Sequence, residues 1–341
     1  MRIREYGIRI GSMEPGARNK ISDVPGVTVG HCTVSDERHQ TGVTVVMPCE
    51  DNPFTNRLPC AAFVLNGFGK TAGLVQIDEL GTLETPIALT NTLNVGLAHD
   101  AMVEYMLRRC RAEKVRLTSV NPVVCECNDA SLNDIAERAV RREHVFQAIE
   151  NACADFAEGA VGCGRGLTCH GLKGGVGSAS RIVEIDQKRY TVGVLVQTNH
   201  GRLRDLNIEG NPVGERIFHE ISENQPDKGS CIVILATDLP LSDRQIRRVI
   251  KRCSVGLARL GSYIGHGSGE VFIGFSTANR CRSDDARGIL PAEQLNESKI
   301  DLCFRAAAEA TEEAVLNSMV EAETVTGCSG QTRRSLADFL T

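Results

Sequence analysis

The sequence predicts a layered α/β fold, because blocks with a strand pattern alternate along the chain with blocks that have a helix pattern. Two of the predicted strands, 230–237 and 270–276, are apolar at nearly every position instead of alternating with polar residues. Such strands are buried on both faces, as in a sheet that has helices on one side and apolar residues on the other. A four-layer αββα sandwich and a doubly wound sheet both meet this requirement, and the pattern alone leaves both open.

The first hundred residues predict strands and turns, because short apolar runs alternate there with Gly and Pro. The clearest runs are 26–30, 42–48 and 61–69. Apolar residues at helical spacing then predict a helix from Val95 to Arg111. The same spacing predicts a second helix that begins at Asn133 or Arg142 and ends at Glu158.

The middle of the chain contains its most glycine-dense segment, residues 159–177, which we expect to be a loop. Two apolar stretches follow on either side of the polar turn 186–189, so residues 181–198 predict a β-hairpin. The apolar strand 230–237 comes after a charged segment that contains Pro.

The carboxyl-terminal part predicts two helices separated by a strand. Ser242 and Gln245 form an S-x-x-Q capping box, which predicts a basic amphipathic helix that ends near Leu260. A glycine-rich turn leads into the apolar strand 270–276, and an Ala- and Glu-rich helix is predicted over 299–323. The chain has no internal repeat and no low-complexity linker.

Composition narrows the classes of function. The 341 residues carry a formal net charge of −5 and have a pI near 6.0, which argues against nucleic-acid or anionic-membrane binding. The 14 cysteines are scattered without a CxxC pair, which is typical of buried thiols in a reducing compartment. The amino-terminal residues lack the apolar core of a signal peptide, and no window has the roughly 18 apolar residues of a membrane span. We therefore expect a cytoplasmic protein.

Several common site motifs are missing. The GKT at 69–71 lacks the preceding Gly of a phosphate-binding loop, and no HExxH or G-x-S-x-G motif occurs. His170, His200 and His266 lie too far apart in sequence to suggest metal ligation, and each is expected to be a loop or hydrogen-bonding residue. No metal and no cofactor is therefore expected.

A serine lies directly where the charged segment meets the apolar strand, in the sequence Gly229-Ser230-Cys231. A serine hydroxyl needs a base to take its proton, and an α-amine with a pKa of about 7.7–8 can do this if the serine is a chain terminus. Ser230 would become one if the Gly229–Ser230 bond were cut. The ordinary alternative is a Gly-Ser loop end before a buried strand, and the local sequence leaves both open.

An ordered set of motifs resembles the DmpA-type aminopeptidases, which include L-aminopeptidase/D-esterases and β-peptidyl aminopeptidases. The set comprises 126–129, 132–134, 162–166, 169–177, 196–199, 230–241, 267–270 and 275–279. The resemblance covers essentially the whole chain. It implies a single αββα domain over 1–341, of the DmpA/ornithine-acetyltransferase-like type, that cleaves itself into an α chain (1–229) and a β chain (230–341). It also implies a homo-oligomer of processed chain pairs.

The resemblance also implies roles for individual residues. Ser230 matches the nucleophile that cleavage at Gly229–Ser230 exposes, and Ser268 and Glu270 match the family's second catalytic serine and its glutamate. Both can hold the Ser230 amine and hydroxyl in line, as the third group of a triad does. Asn199 matches an asparagine that stabilises the oxyanion of a tetrahedral intermediate.

One position departs from the family pattern. Where some relatives carry an active-site tyrosine, this chain has Ser131 in the substrate pocket, preceded by Ala130 in place of the usual Gly. The change bears on substrate preference more than on the nucleophile. The expected activity is removal of an amino-terminal residue from short peptides, amides or esters with a free amine. The alternatives are an acyltransferase of a related αββα fold and an unprocessed relative without activity.

Overall fold

The computed structural model describes residues 1–221 and 228–340, with residue 228 described through its backbone only. The larger strands are β1 (Thr28–Ser35), β2 (Gln40–Met47), β3 (Asn56–Gly67), β5 (Ile87–Asn91), β6 (Val123–Cys127), β9 (Val176–Ile185), β10 (Lys188–Asn199), β11 (Lys228–Thr237) and β12 (Gly267–Ser276). Strands of two residues are β4 (Thr82–Leu83), β7 (Thr168–Cys169), β8 (Leu172–Lys173), β13 (Cys281–Arg282), β14 (Val325–Thr326) and β15 (Thr332–Arg333). The helices are α1 (Leu74–Leu80), α2 (Val95–Ala112), α3 (Arg142–Glu150), α4 (Val213–Ile221), α5 (Asp243–Ile250), α6 (Cys253–Arg259) and α7 (Ile300–Val320).

Two sheets face each other across an apolar core. One has four strands in the order β1-β2-β5-β6, and the other has the order β13-β3-β12-β11-β10-β9 with β4 paired to β3. Side chains from both sheets fill the space between them, among them Leu89 and Cys125 from the smaller sheet and Ile232 and Ile273 from the larger. Strands buried in this way have no solvent face, which is why β11 and β12 lack the polar alternation of an exposed strand.

Helices cover the outer face of each sheet. Helices α2 and α3 pack on the four-stranded sheet, whereas α5 and α7 pack on the larger one and α6 packs on α7. The structure is therefore a four-layer αββα sandwich, and the doubly wound alternative is excluded. No helix in the described residues is long and apolar enough to cross a membrane.

The strand predictions at 230–237 and 270–276 are confirmed, but both strands begin earlier in the chain. Ser230 is therefore the third residue of β11, and Ser268 lies within β12 and not on the glycine-rich turn before it. The hairpin prediction is confirmed by β9 and β10. The helix predicted to end at Glu158 stops earlier, at Glu150.

The helix predicted from Ser242 to Leu260 is two helices. The capping box forms as expected, because the Gln245 backbone N–H donates to Ser242 Oγ at 3.3 Å and the Ser242 backbone N–H donates to Gln245 Oε1 at 3.2 Å. The chain then breaks after α5, and α6 packs so closely on α7 that a Cβ at Gly256 would lie 2.6 Å from the Ala308 carbonyl oxygen. A continuous helical pattern in the sequence does not reveal such a break, because both halves bury one face against the same core.

The glycine-dense segment 159–177 is not simply a loop, as the sequence had indicated. It contains the short hairpin β7–β8, and its glycines let backbone segments approach one another closely. The fully buried Lys173 holds this segment in place, because its Nζ donates to the carbonyls of Gly164, Leu167 and Gly174 at 2.7–2.9 Å. Lys173 thereby fixes the position of Thr168, which contacts Asn199.

Candidate active site

Ser230 is held by strand pairing on both sides. The register places Ser230 opposite Asn199 of β10 and beside Gly269 of β12. Ile232 and Ile234 of the same strand face the core between the sheets, so Ser230 lies on that inner face by strand alternation. It is 4 % exposed, and its Oγ has no hydrogen-bond partner among the described residues. A buried hydroxyl without a partner costs about 1–3 kcal/mol, which is unusual outside functional sites.

Ser230 opens onto a cavity of about 670 Å³. The cavity is also lined by Gly229, Asn199 and Ser131, so with Ser230 the structure brings four of the predicted site residues to one place. Phe68 and Tyr263 line it as well, and more than half of each side chain is exposed to solvent. The cavity therefore offers an apolar surface close to a buried hydroxyl.

The amide of Asn199 has a fixed orientation. Its Oδ1 accepts a hydrogen bond from the Thr168 backbone N–H at 3.0 Å, and its Nδ2 donates to the Asn128 carbonyl at 2.9 Å. An amide nitrogen carries two hydrogens, so the second one remains for another acceptor. Asn199 is thus positioned to donate into the cavity next to Ser230.

Ser268 and Glu270 do not line this cavity. They lie on β12 directly beside Gly229 and Cys231, and Ser268 Oγ donates a hydrogen bond to Glu270 Oε1. Both side chains are essentially buried. By strand alternation they share the outer face of the sheet with Phe272, which contacts the core beneath the helices. In the uncut chain the pair therefore lies next to the Ser230 backbone, on the opposite side of the sheet from its hydroxyl.

The cysteines next to Ser230 remain thiols. Cys231 follows it in the chain, and Cys127 of β6 donates to the Ser230 carbonyl through a contact of 3.6 Å. Burial raises the pKa of both thiols well above the usual value. A thiolate is the nucleophilic form of cysteine, so neither residue competes with Ser230 for that role.

Glu126 is a site residue that the sequence motifs contained but did not assign to the cavity. It is almost fully buried at the carboxyl end of β6, where it accepts hydrogen bonds from the Lys70 backbone N–H at 3.0 Å and from the Thr92 hydroxyl. It lines the cavity. The signal in the sequence was an acidic residue at the end of an otherwise apolar strand.

Gly229 is required by packing and not by backbone strain, because its φ is not in the left-handed region. A Cβ at this position would lie 1.7 Å from the Asn199 carbonyl oxygen, a distance that only displacement of backbone could relieve. Glycine therefore lets β10 and β11 approach at the point where Asn199 meets Ser230.

His170 and His200, whose separation in sequence gave no reason to expect a shared metal site, meet in the structure. Their rings pack edge to face with centroids 5.5 Å apart, because the β7–β8 hairpin folds over the end of β10. His266 lies apart from this pair, where it lines the active-site cavity with its ring tilted against that of Phe68 at a centroid distance of 6.4 Å. Burial, with a smaller contribution from His170, lowers the pKa of His200 to about 3.

Comparison with known proteins decides the family. Residues 19–333 match the description Peptidase family S58. The chain belongs to peptidase family S58. It is 38 % identical to β-peptidyl aminopeptidase BapA of Sphingosinicella microcystinivorans, and the alignment covers 98 % of this chain and 89 % of that protein.

Solved structures agree with this family assignment. The PH0078 protein from Pyrococcus horikoshii OT3 superposes with a TM-score of 0.93 at 47 % identity, covering 100 % of this chain and 98 % of that one. The L-aminopeptidase D-Ala-esterase/amidase of Ochrobactrum anthropi superposes with a TM-score of 0.92 at 34 % identity, covering 98 % and 95 %. That enzyme is described as a prototype of the serine aminopeptidases with a variant of the Ntn hydrolase fold.

This S58 family member is thus a serine aminopeptidase with the Ntn (N-terminal nucleophile) hydrolase fold. The comparisons give no support to the acyltransferase or to the inactive relative as alternatives. They agree with the cavity, which is large enough for a short peptide and has a buried serine hydroxyl on its wall.

The close approach at Gly229 makes a prediction about stability. In a Ser230→Ala parent, which removes any effect of cleavage, Gly229→Ala should lower the free energy of unfolding by about 1–3 kcal/mol, the usual cost of overpacking. Urea unfolding followed by circular dichroism measures this difference. The matched control is Gly96→Ala in α2, where a Cβ would have no neighbour within 4 Å. If Gly229→Ala unfolds like its parent, the packing argument is wrong.

Proposed function

We propose that the Gly229–Ser230 bond is cleaved by Ser230 itself. The supporting observation is the buried Ser230 hydroxyl, which has no hydrogen-bond partner among the described residues, beside a glycine that has no side chain to shield its carbonyl. Oγ attacks the Gly229 carbonyl carbon, the C–N bond breaks, and the acyl group moves from nitrogen to oxygen. Water then hydrolyses the ester, which leaves a carboxylate on Gly229 and a free α-amine on Ser230.

In the mature enzyme the Ser230 α-amine acts as the general base for its own hydroxyl. Its ordinary pKa of about 7.7–8 lies close to physiological pH, which suits a group that takes and returns a proton. Oγ attacks the carbonyl of the substrate's first residue, and the departing amine or alcohol receives the proton. Water hydrolyses the resulting aminoacyl ester and restores Ser230.

Asn199 stabilises the negative charge that develops on the substrate oxygen. Strand pairing places it opposite Ser230, and its Oδ1 is held by Thr168 while one Nδ2 hydrogen bonds to Asn128. The second Nδ2 hydrogen can then donate to the oxyanion without rearrangement of the amide. Donors held in place before the reaction are the most effective, because none of the stabilisation is spent on reorienting them.

Ser268 and Glu270 orient the amine that cleavage produces. They flank Gly229 and Cys231 on the neighbouring strand, so release of residue 229 leaves the new terminus beside them. The Glu270 carboxylate would stabilise the positive charge that the amine acquires when it takes the hydroxyl proton. The hydrogen bond from Ser268 holds that carboxylate in position.

Glu126 binds the free amine of the substrate in this proposal. A buried carboxylate on the wall of the cavity, fixed by Lys70 and Thr92, is the group that a substrate ammonium would seek. Phe68 and Tyr263 would contact the substrate side chain. Ser131 lines the same cavity in place of the larger tyrosine of some relatives, which favours substrates with more bulk near that position.

Cleavage is testable by mass. Purified protein should separate under denaturing conditions into chains 1–229 and 230–341, because Ser230 cuts its own amide, and Ser230→Ala should remain whole. Mass spectrometry with amino-terminal sequencing measures this, and a native mass should be a multiple of one chain pair if the processed pairs assemble as the family resemblance implies. A single intact chain with full activity would refute the mechanism.

We place the enzyme in the cytoplasm, since all 14 cysteines are free thiols in the structure.

The role of Glu270 is testable by kinetics. Glu270→Gln keeps the shape of the side chain but removes its charge, so kcat for an aminoacyl-p-nitroanilide should fall by about 10²–10⁴, the usual contribution of acid–base chemistry. Ser268→Ala should lose less than Ser230→Ala. The matched control is Glu184→Gln, an exposed glutamate on β9, which should retain activity. Each variant is assayed after its cleavage state is known, and wild-type turnover by processed Glu270→Gln would make Glu270 structural.

A further inference from the structure

A second cluster of reactive side chains lies behind the active site. Cys169, His170 and His200 are all buried, and one potential ligand atom from each lies within 4.8 Å of the others. Cys169 belongs to the core between the larger sheet and α7, so the cluster is on the outer side of that sheet. Asn199 and Ser230 face the opposite side, so the cluster is separate from the substrate cavity.

The burial of the His200 side chain is energetically unfavourable. It is 2 % exposed, and neither of its ring nitrogens has a hydrogen-bond partner among the described residues. A neutral imidazole has one N–H to donate and one lone pair that accepts, so burying both nitrogens without partners is costly. A ligand held between His200 and its neighbours would remove this cost.

His170 is oriented as metal-ligating histidines usually are, with one ring nitrogen in contact with a backbone carbonyl. It occupies the tip of the β7–β8 turn with a left-handed φ of 46°, where its Nδ1 lies 3.0 Å from the Arg202 carbonyl oxygen. An Nδ1–H that donates to a carbonyl leaves Nε2 with its lone pair, which is the usual arrangement of a histidine ligand. Gly201 allows the ring to lie here, because a Cβ would fall 2.5–2.7 Å from three of its atoms.

We propose that Cys169, His170 and His200 form a binding site for one divalent zinc-like ion. A thiolate with two imidazoles is a donor set that suits zinc or cobalt and does not suit calcium or magnesium. Zn–S and Zn–N bonds of about 2.3 and 2.0–2.1 Å bring tetrahedral ligand atoms to about 3.3–3.6 Å from one another. The three ligand atoms, which lie within 4.8 Å of one another, would move to that spacing when the ion binds, and a water molecule would complete the tetrahedron. On binding, the thiol of Cys169 gives up its proton to solvent.

The ion would be structural and not catalytic. Cys169 follows Thr168, whose N–H holds the Asn199 amide, and His200 follows Asn199 directly. An ion bound to both neighbours would therefore tie the β7–β8 hairpin to the end of β10 and hold Asn199 in place from behind. This site revises the expectation from sequence that the chain binds no metal, and it does not depend on the mechanism proposed for Ser230.

The test is the metal content of the full-length protein. After expression with added zinc and exhaustive dialysis, wild type should carry about one zinc per 341-residue protein by elemental analysis, because a thiolate and two imidazoles are ligands that suit zinc. Cys169→Ser and His200→Gln should each retain less than a tenth of that amount. Cys253→Ala is the matched control, because this cysteine is fully buried in the same core but lies outside the cluster, and it should keep its zinc.

Cobalt substitution covers the case in which the variants do not fold. Wild type grown with cobalt should show the absorption of thiolate-to-cobalt charge transfer, which requires a cysteine ligand. Wild type with less than a tenth of an equivalent of either metal would overturn the proposal. So would zinc that remains in Cys169→Ser and His200→Gln, or zinc that is lost equally from Cys253→Ala. Metal content is measured without any activity assay, so this proposal and the Ser230 mechanism fail or succeed independently.

Discussion

The register between β10, β11 and β12 is the constraint on which the active site depends. Antiparallel pairing places Asn199 opposite Ser230, and parallel pairing places Ser268 and Glu270 beside its neighbours Gly229 and Cys231. A slip of one residue would turn Ser230 to the outer face and replace it with Cys231, because side chains alternate between the faces of a strand. Gly229 fixes the register locally, since only a residue without a Cβ fits against the Asn199 carbonyl.

The site tolerates unfavourable burial that an ordinary core would avoid. The Ser230 hydroxyl is buried with no hydrogen-bond partner in the part of the chain that the structure describes, and the Ser268–Glu270 pair is buried on the other side of the same sheet. A buried hydroxyl without a partner costs stability in the uncut chain. In the proposed mechanism the Ser230 hydroxyl and the Glu270 carboxylate both act after cleavage, when a new amine appears between them. Locally unfavourable burial of this kind is expected at the functional sites of proteins.

The sequence predicts those parts of this architecture that depend on short-range patterns. The apolar runs locate β11 and β12, and the S-x-x-Q box locates the start of α5. Ser230 stands out because it lies where the sequence changes abruptly from polar to apolar, and the ordered motifs predict the family to which the chain belongs. These signals need only a few neighbouring residues to be read.

The parts that could not be predicted depend on contacts between distant segments. Lys173 orders a glycine-rich segment through three backbone carbonyls, and no periodicity reveals such bonds. His170 and His200 meet only because a short hairpin folds over the end of β10. The opposite faces occupied by Ser230 and Glu270 follow from strand register, which a single sequence does not specify.

Covalent labelling tests the central claim, that Ser230 is the nucleophile, most directly. The processed enzyme is treated with a sulfonyl fluoride, and the labelled peptide is identified by mass spectrometry while residual activity is followed. The account predicts a single adduct on Ser230, at the amino terminus of the 230–341 chain, with activity lost in proportion to labelling. Loss of activity with the adduct on Ser268 or another residue, or full activity with Ser230 completely labelled, would contradict it.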